Sequence, residues 1–339
     1  MPIRIAQYGV KHGHAAGKVQ ALRDNPDVEL IGVYEPDRAL WPRMRAAYAS
    51  AGISLLRSPE ELLGDPSIVA VAIEGSNTES LAMAEAAIAA GKHLWYDKPA
   101  GDDWPRFARL IARARDTGLQ IQMGYMFRYH QGFRQVATWT HDGLLGNVFA
   151  VRAHMSTLLP LRHDGWTTTS RADIAQHGGG VFYDLAGHML DQLVWLLGRP
   201  QRVTRFLRND ATPELPDFVD NTLVVFEYAR ALATVDLTAL ECRPAARRFE
   251  VYGSCGSAIM EPFEPDPQLR LCLESPAEGY AAGMQFVPVP AQHRDALYER
   301  ELAAFVATLR GSQPPDRSLD HELLVQETLL RATGGADGA

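Results

Sequence analysis

The sequence predicts an α/β protein of two domains: a doubly wound parallel sheet over residues 1–124, then an α/β domain with a mainly antiparallel sheet over 125–339. Three observations predict it. The length of 339 residues favours two cores. In the first third the apolar period switches repeatedly between two and about 3.6, as strands and helices alternate. After Tyr125 helices become fewer and alternating strand patterns follow one another.

Ile3 to Tyr8, Val28 to Glu35, Ile68 to Ile73, His93 to Tyr96 and Leu119 to Met123 carry the short apolar runs of strands buried on both faces. Between them, Ala15 to Arg23, Asp37 to Ala49 and Thr78 to Ala90 have helical spacing, the last opening after Asn77 as a cap and stopping at Gly91. Asp103 and Pro105 start a further helix that ends at Gly118. Such helices between strands require right-handed crossovers and hence a parallel sheet.

In the second part Val148 to Met155, Arg202 to Leu207, Thr222 to Tyr228, Leu232 to Leu240, Arg248 to Tyr252 and Leu269 to Leu273 read as strands. A helix over 177–197 and terminal helices near 293–310 and 319–331 are expected on one face of their sheet. The tail GGADGA is small and polar and is expected to be disordered.

Hydrophobic residues make up 46% of the chain and charged residues 22%, an ordinary globular composition. A net charge of -8 and no basic face exclude nucleic acid as an expected partner. Cys242, Cys255 and Cys272 show no metal-binding spacing and read as small residues of a reducing compartment. No apolar run reaches the roughly 18 residues of a membrane span and no leader pattern opens the chain, so the expected location is cytoplasmic, away from membranes.

The first strand runs into YGVKHGHAAGKV, and Glu35 closes the second. In a dinucleotide-binding unit this turn brings a pyrophosphate to the amides of a helix N-terminus, and the acid at the second strand's end takes the ribose hydroxyls. Counted as G-x-G-x-x-G from Gly9, the later positions are Lys11 and His14, with Gly13 between them, so a tight strand-to-helix turn without ligand is the competing reading. Lys11 could contact a phosphate in compensation. Glu35 favours a free 2′-hydroxyl, hence NAD ahead of NADP, with Arg38 close by. His12 and His14 lie in a turn without acids and lack the rest of a coordination sphere, so no metal is expected.

HLWYDKPAG places Lys98 just beyond an apolar strand, where ligands of open α/β sheets bind; a solvated loop lysine is the alternative. In HGGGVFYDLAGHMLDQL, Asp184 and His188 share a helix face at i,i+4 and Asp191 continues it at i+3. An imidazole beside a carboxylate can move a proton near neutral pH, while a helix-surface ion pair is the plainer reading. Gly178 to Gly180 leave room for something to lie close to the backbone.

Taken together, these residues resemble the Gfo/Idh/MocA family of sugar and polyol oxidoreductases. Asp97-Lys98-Pro99 is similar to its E-K-P motif, Ala90 to Pro99 to its AGKHVLCEKP segment, Glu74 to Asn77 to its ATPN, and Gly178 to His188 to its G-G-G…D-x-G-x-H signature. The resemblance implies a Rossmann domain and a second domain whose large open sheet serves as the interface of a homodimer or homotetramer. It implies a nicotinamide cofactor held by Gly9, Lys11, His12, Gly13, His14, Glu35, Asn77, Asp97 and Lys98. Lys98, Asp184 and His188 become the catalytic set and contact substrate; by side-chain chemistry Arg128, Tyr129 and Trp166 are further candidate substrate contacts, the first two because they lie at the domain junction. His163 and His177 are further cleft residues by composition.

The implied activity is hydride transfer between a sugar, polyol or related secondary alcohol and NAD(P). Two other activities share these residues: redox-neutral epimerisation, elimination or glycosidic cleavage on a retained cofactor, and sensing without catalysis. Three departures from the family pattern stand out: Asp97 for Glu, two missing glycines in the nucleotide loop, and Glu74 and Ser76 for Thr and Pro.

Overall fold

The computed structural model describes residues 1–162 and 170–335. His163, Trp166 and the last four residues of the tail lie outside them. The chain forms two compact units, the first from Met1–Tyr125 and Arg294–Leu323, the second from Met126–Arg162 and residues 170–293 and 324–335.

The first unit is a five-stranded parallel sheet of β1 (Ile3–Tyr8), β2 (Val28–Tyr34), β3 (Ala70–Ile73), β4 (His93–Tyr96) and β5 (Ile121–Met123). The order is β2-β1-β3-β4-β5, so the chain reverses direction across the sheet after β2. All four residues of β3 are buried, as a strand covered on both faces requires. The crossovers contain α1 (Ala15–Asp24), α2 (Trp41–Ala49), α3 (Pro59–Leu63), α4 (Ser80–Ala89) and α5 (Trp104–Asp116). Asp103 caps α5 through the Arg106 amide at 3.0 Å. Asn77 does not cap α4. That helix starts later because Glu79 reaches back to the Ser76 amide at 3.1 Å and fixes the preceding turn. The five residues of α3 are too few to show a period, and the sequence gives no sign of them.

The second unit holds an eight-stranded sheet of β6 (Val148–His154), β7 (Arg202–Arg208), β8 (Asn221–Glu227), β9 (Leu232–Thr238), β10 (Arg248–Gly253), β11 (Gly256–Met260), β12 (Leu269–Leu273) and β13 (Gly283–Val287). Its order is β13-β12-β11-β10-β6-β9-β8-β7, antiparallel except for the parallel pair of β6 and β9. Val151, Ala153, Val224, Phe226, Val235, Phe249 and Val251 are buried on one face. On the other, Phe206, Leu223, Leu232, Met284 and Phe286 are exposed. The helices are α6 (Gln131–His141), α7 (Arg171–Ile174), α8 (Val181–Leu185) and α9 (Gly187–Leu197). The single helix expected over 177–197 is thus two, meeting at Ala186.

Two helices close the chain: α10 (Arg294–Leu309) and α11 (Leu319–Thr333). The sequence places both on the antiparallel sheet. Instead α10 lies in the first unit against α1, where a Cβ at Gly17 would fall 2.5 Å from the Tyr298 ring. An amphipathic period shows that a face is buried without showing which element buries it.

On α10, Glu301 is 0% exposed, and burial pushes its carboxyl up to about 8 against the pull of Lys18 and Arg317. The folded chain then keeps a proton on Glu301 that the unfolded chain releases near its ordinary 4.5. Stability from this group is therefore complete at low pH and is lost as pH rises toward about 8, each pKa unit being worth about 1.4 kcal/mol. Thermal melts of the protein and Glu301→Gln should show the wild type losing several degrees relative to the variant between pH 5 and pH 8. A gap that does not change with pH would mean that Glu301 ionises normally.

Candidate active site

The turn after β1 depends on Gly9. Its φ is +91°, and a Cβ there would lie 2.6 Å from the Gly75 amide nitrogen. Glu35, the expected ribose contact, is 0% exposed. Its two carboxylate oxygens accept the amides of Val10 at 3.0 Å and Asp37 at 2.9 Å, so it braces the loop from beneath. The more accessible carboxylate at this strand end is Asp37, whose side chain is 40% exposed. Lys11 is directed at carboxylates, with Nζ 2.7 Å from Glu79 and 3.6 Å from Asp37. Gly13 is exposed, and the first turn of α1 carries no acid and no side-chain cap. Such a helix start suits the phosphates of a dinucleotide, which fits this turn.

Beneath the loop five ionisable side chains converge. Lys18 Nζ lies 2.9 Å from Asp97 Oδ2 and 3.0 Å from Glu74 Oε1. His14 Nδ1 approaches Asp97 Oδ2 at 3.0 Å, and His12 Nδ1 is 3.4 Å from both Asp97 Oδ2 and Glu74 Oε2. Burial opposes ionisation of Asp97, but His12, His14 and Lys18 offset it and hold the carboxyl well below its usual range. Burial drives His14 down to about 3 despite Asp97, so its imidazole is neutral. The histidines expected to meet the cofactor therefore turn inward. The premise that no acid accompanies them fails, because β3 and β4 deliver Glu74 and Asp97 from distant sequence. The shortened Asp97 also fits tightly against Gly124, where a Cβ would lie 2.7 Å from Oδ1.

Lys98 follows at the carboxyl end of the sheet, 4% exposed, with its amide 2.8 Å from Asp97 Oδ1. Asn77 lies in the turn between β3 and α4 and is 9% exposed.

In the second unit Asp184 ends up on α8 and His188 on α9, each 3% exposed, with the His188 ring edge-on to Phe127 at 5.2 Å. Asp191 does not extend their file. It forms a buried ion pair with Arg128 at 2.6 Å, and the guanidinium also covers the Trp195 ring at 3.8 Å. Arg128, expected to meet substrate, thus ties the turn before α6 to α9. Tyr129 is 3% exposed, and Arg134 lies 5.9 Å from its ring. His177 stacks on Tyr183 at 4.6 Å. The glycines admit the chain itself: a Cβ at Gly179 would meet Thr333 and one at Gly180 would meet Val219 O, both at 2.3 Å.

Comparison with known proteins agrees with this architecture. Residues 3–125 match the oxidoreductase family's NAD-binding Rossmann fold, and 133–259 match the GFO/IDH/MocA C-terminal domain. The 1,5-anhydro-D-fructose reductase of Ensifer adhaerens is 27% identical over 272 residues, covering 80% of this chain and 78% of that one. The dTDP-3,4-didehydro-2,6-dideoxy-alpha-D-glucose 3-reductase of Actinomadura kijaniata is 26% identical over 345 residues, covering 99% and 96%. Among solved structures, the 3-ketoreductase KijD10 from Actinomadura kijaniata, in complex with NADP and TDP-benzene, superposes with a TM-score of 0.78 at 21% identity, over 99% of this chain and 98% of that one. On these two matches, which together span most of its length, this chain belongs to the Gfo/Idh/MocA family of NAD(P)-binding oxidoreductases.

Proposed function

We propose that the protein moves a hydride between a secondary alcohol of a sugar or polyol and NAD(P). The observation that supports this most directly is Lys98: an ammonium group 4% exposed, at the carboxyl end of β4, in a chain that retains Asp184 and His188. A bound nicotinamide supplies the hydride acceptor for oxidation and the donor for reduction. In the oxidation direction His188 accepts the hydroxyl proton on an imidazole nitrogen. Asp184 orients that hydroxyl as a hydrogen-bond acceptor. Lys98 donates to the same oxygen and stabilises the charge that grows on it as the proton leaves. Gly9, Gly13 and Asn77 hold the dinucleotide, whereas His12, His14 and Asp97 support it from below.

The two relatives reduce carbonyl groups on sugars by name, which supports a carbohydrate substrate. NAD remains the favoured cofactor, with Asp37 in the position assigned from sequence to Glu35, because a carboxylate there repels a 2′-phosphate.

Titrating the protein with NAD+ and NADP+, then screening sugars and polyols for formation of the reduced nicotinamide, tests both parts. NAD+ should bind about tenfold or more tighter than NADP+, and Asp37→Ala should narrow the ratio. Tighter NADP+ binding would reverse the cofactor assignment. Lys98→Ala and His188→Ala should each lower kcat by about 10²–10⁴-fold with little change in dinucleotide affinity. Unchanged turnover in either variant would remove that residue from the mechanism. Binding without any net reduction across the screen would point to the redox-neutral or sensing activity instead.

The exposed apolar face of the eight-stranded sheet, with Phe206, Leu223, Leu232, Met284 and Phe286, supports a homodimer or homotetramer through that face. Leu223→Asp should shift the sedimenting species toward monomer. An unchanged mass would place the interface elsewhere.

A further inference from the structure

We infer that His12, His14, Asp97 and Glu74 form a binding site for one divalent transition-metal ion of the zinc class, buried under the nucleotide loop. Two imidazoles and two carboxylates are a donor set that such ions take. Their spacing fits. With bonds of about 2.0–2.2 Å, adjacent ligand atoms around a tetrahedral ion lie about 3.3–3.5 Å apart. Here His12 Nδ1 is 3.4 Å from Glu74 Oε2 and from Asp97 Oδ2, and His14 Nδ1 is 3.0 Å from Asp97 Oδ2. The ligand atoms of His12, His14 and Asp97 all fall within 4.8 Å of one another.

A second observation concerns what these atoms lack. Glu74 is 0% exposed; Lys18 meets its Oε1 at 3.0 Å, while its Oε2 accepts no hydrogen bond among the described residues. The His14 amide donates to His12 Nδ1 at 3.2 Å, so that nitrogen presents a lone pair, and two carboxylate oxygens face it at 3.4 Å. Electron-rich atoms turned toward one another without a proton between them call for a cation. Lys18 answers in part, but it sits against Glu74 Oε1 and Asp97 Oδ2 and leaves Glu74 Oε2 facing His12. Two carboxylates and one ammonium leave a single negative charge in a volume closed to water, where a charge must be compensated. A divalent ion supplies that compensation, with Lys18 as the outer partner that orients the acids. Its role would be structural: it would pin the loop to the ends of β3 and β4, where glycine-rich loops rely on backbone alone.

The full-length protein, stripped with a chelator and titrated with Co2+, should bind one equivalent. It should develop the visible absorption bands of tetrahedral Co2+, and Zn2+ should displace them. His14→Asn and Glu74→Gln should each weaken the binding by about tenfold or more. Circular dichroism on both variants establishes that they fold, and if His14→Asn does not, Glu74→Gln alone carries the comparison. His154→Ala, which removes another histidine flanked by carboxylates, Asp236 and Glu241, should leave the titration unchanged. No tetrahedral bands at saturation, or bands that persist in folded His14→Asn and Glu74→Gln, would overturn the site. Because dinucleotide binding is read separately, failure of the metal site leaves the dehydrogenase assignment standing, and the reverse holds too.

Discussion

The first unit is organised around one buried charge, the carboxylate of Asp97. It gathers Lys18 from α1, His12 and His14 from the loop before it, and the amide of Lys98. Burying a carboxylate is costly, and its partners offset that cost only if all are in place, so the arrangement specifies geometry more than it adds stability. Removing one partner from such a group typically costs about 3–5 kcal/mol, because the remaining charges stay buried. Helix, loop and strand ends are consequently fixed relative to one another. Lys98, the next residue, inherits that fixed backbone.

The same network accounts for the unusual nucleotide loop. Glycines are needed where the backbone enters the left-handed region or where another chain segment comes too close for a Cβ, and Gly9 meets both conditions. His14 has φ -92°, an ordinary value for any residue, so no glycine is required there. Its side chain points down to Asp97 and leaves the exposed Gly13 on the outside of the turn. Glu35 supports the loop as well, through the Val10 amide. The loop is thus held by buried side chains, and the missing glycines are exchanged for internal polar contacts.

The second unit uses its polar residues in the same economical way. Of the three ionisable residues at helical spacing, Asp191 balances Arg128 in the interior, and Asp184 and His188 are the two proposed to act on substrate. The glycine run before them lets α8 start against Val219 and the end of α11, so its purpose is close packing. The stacking of His177 on Tyr183 adds to that packed start.

Much of this was legible in the amino-acid order. β1 and β4 begin and end where the apolar runs do, because strands buried on both faces must be apolar throughout. Six strands of the large sheet show as alternation for the complementary reason, that one face is buried and the other is not. Short elements such as α3 and β11, the edge strand β13 and the helix α6 left too little periodicity or were masked by a mixed junction sequence. The sequence by itself determined the two sheet types, the family motifs and the place of Lys98 just beyond β4, since these depend on local pattern. Only the tertiary structure decided that Glu35 and Arg128 are internal braces, that α10 packs on α1, and that His12 and His14 meet two acids. Each of those outcomes joins residues far apart in the chain, and which partner lies across a contact depends on how the elements pack, which local pattern does not encode.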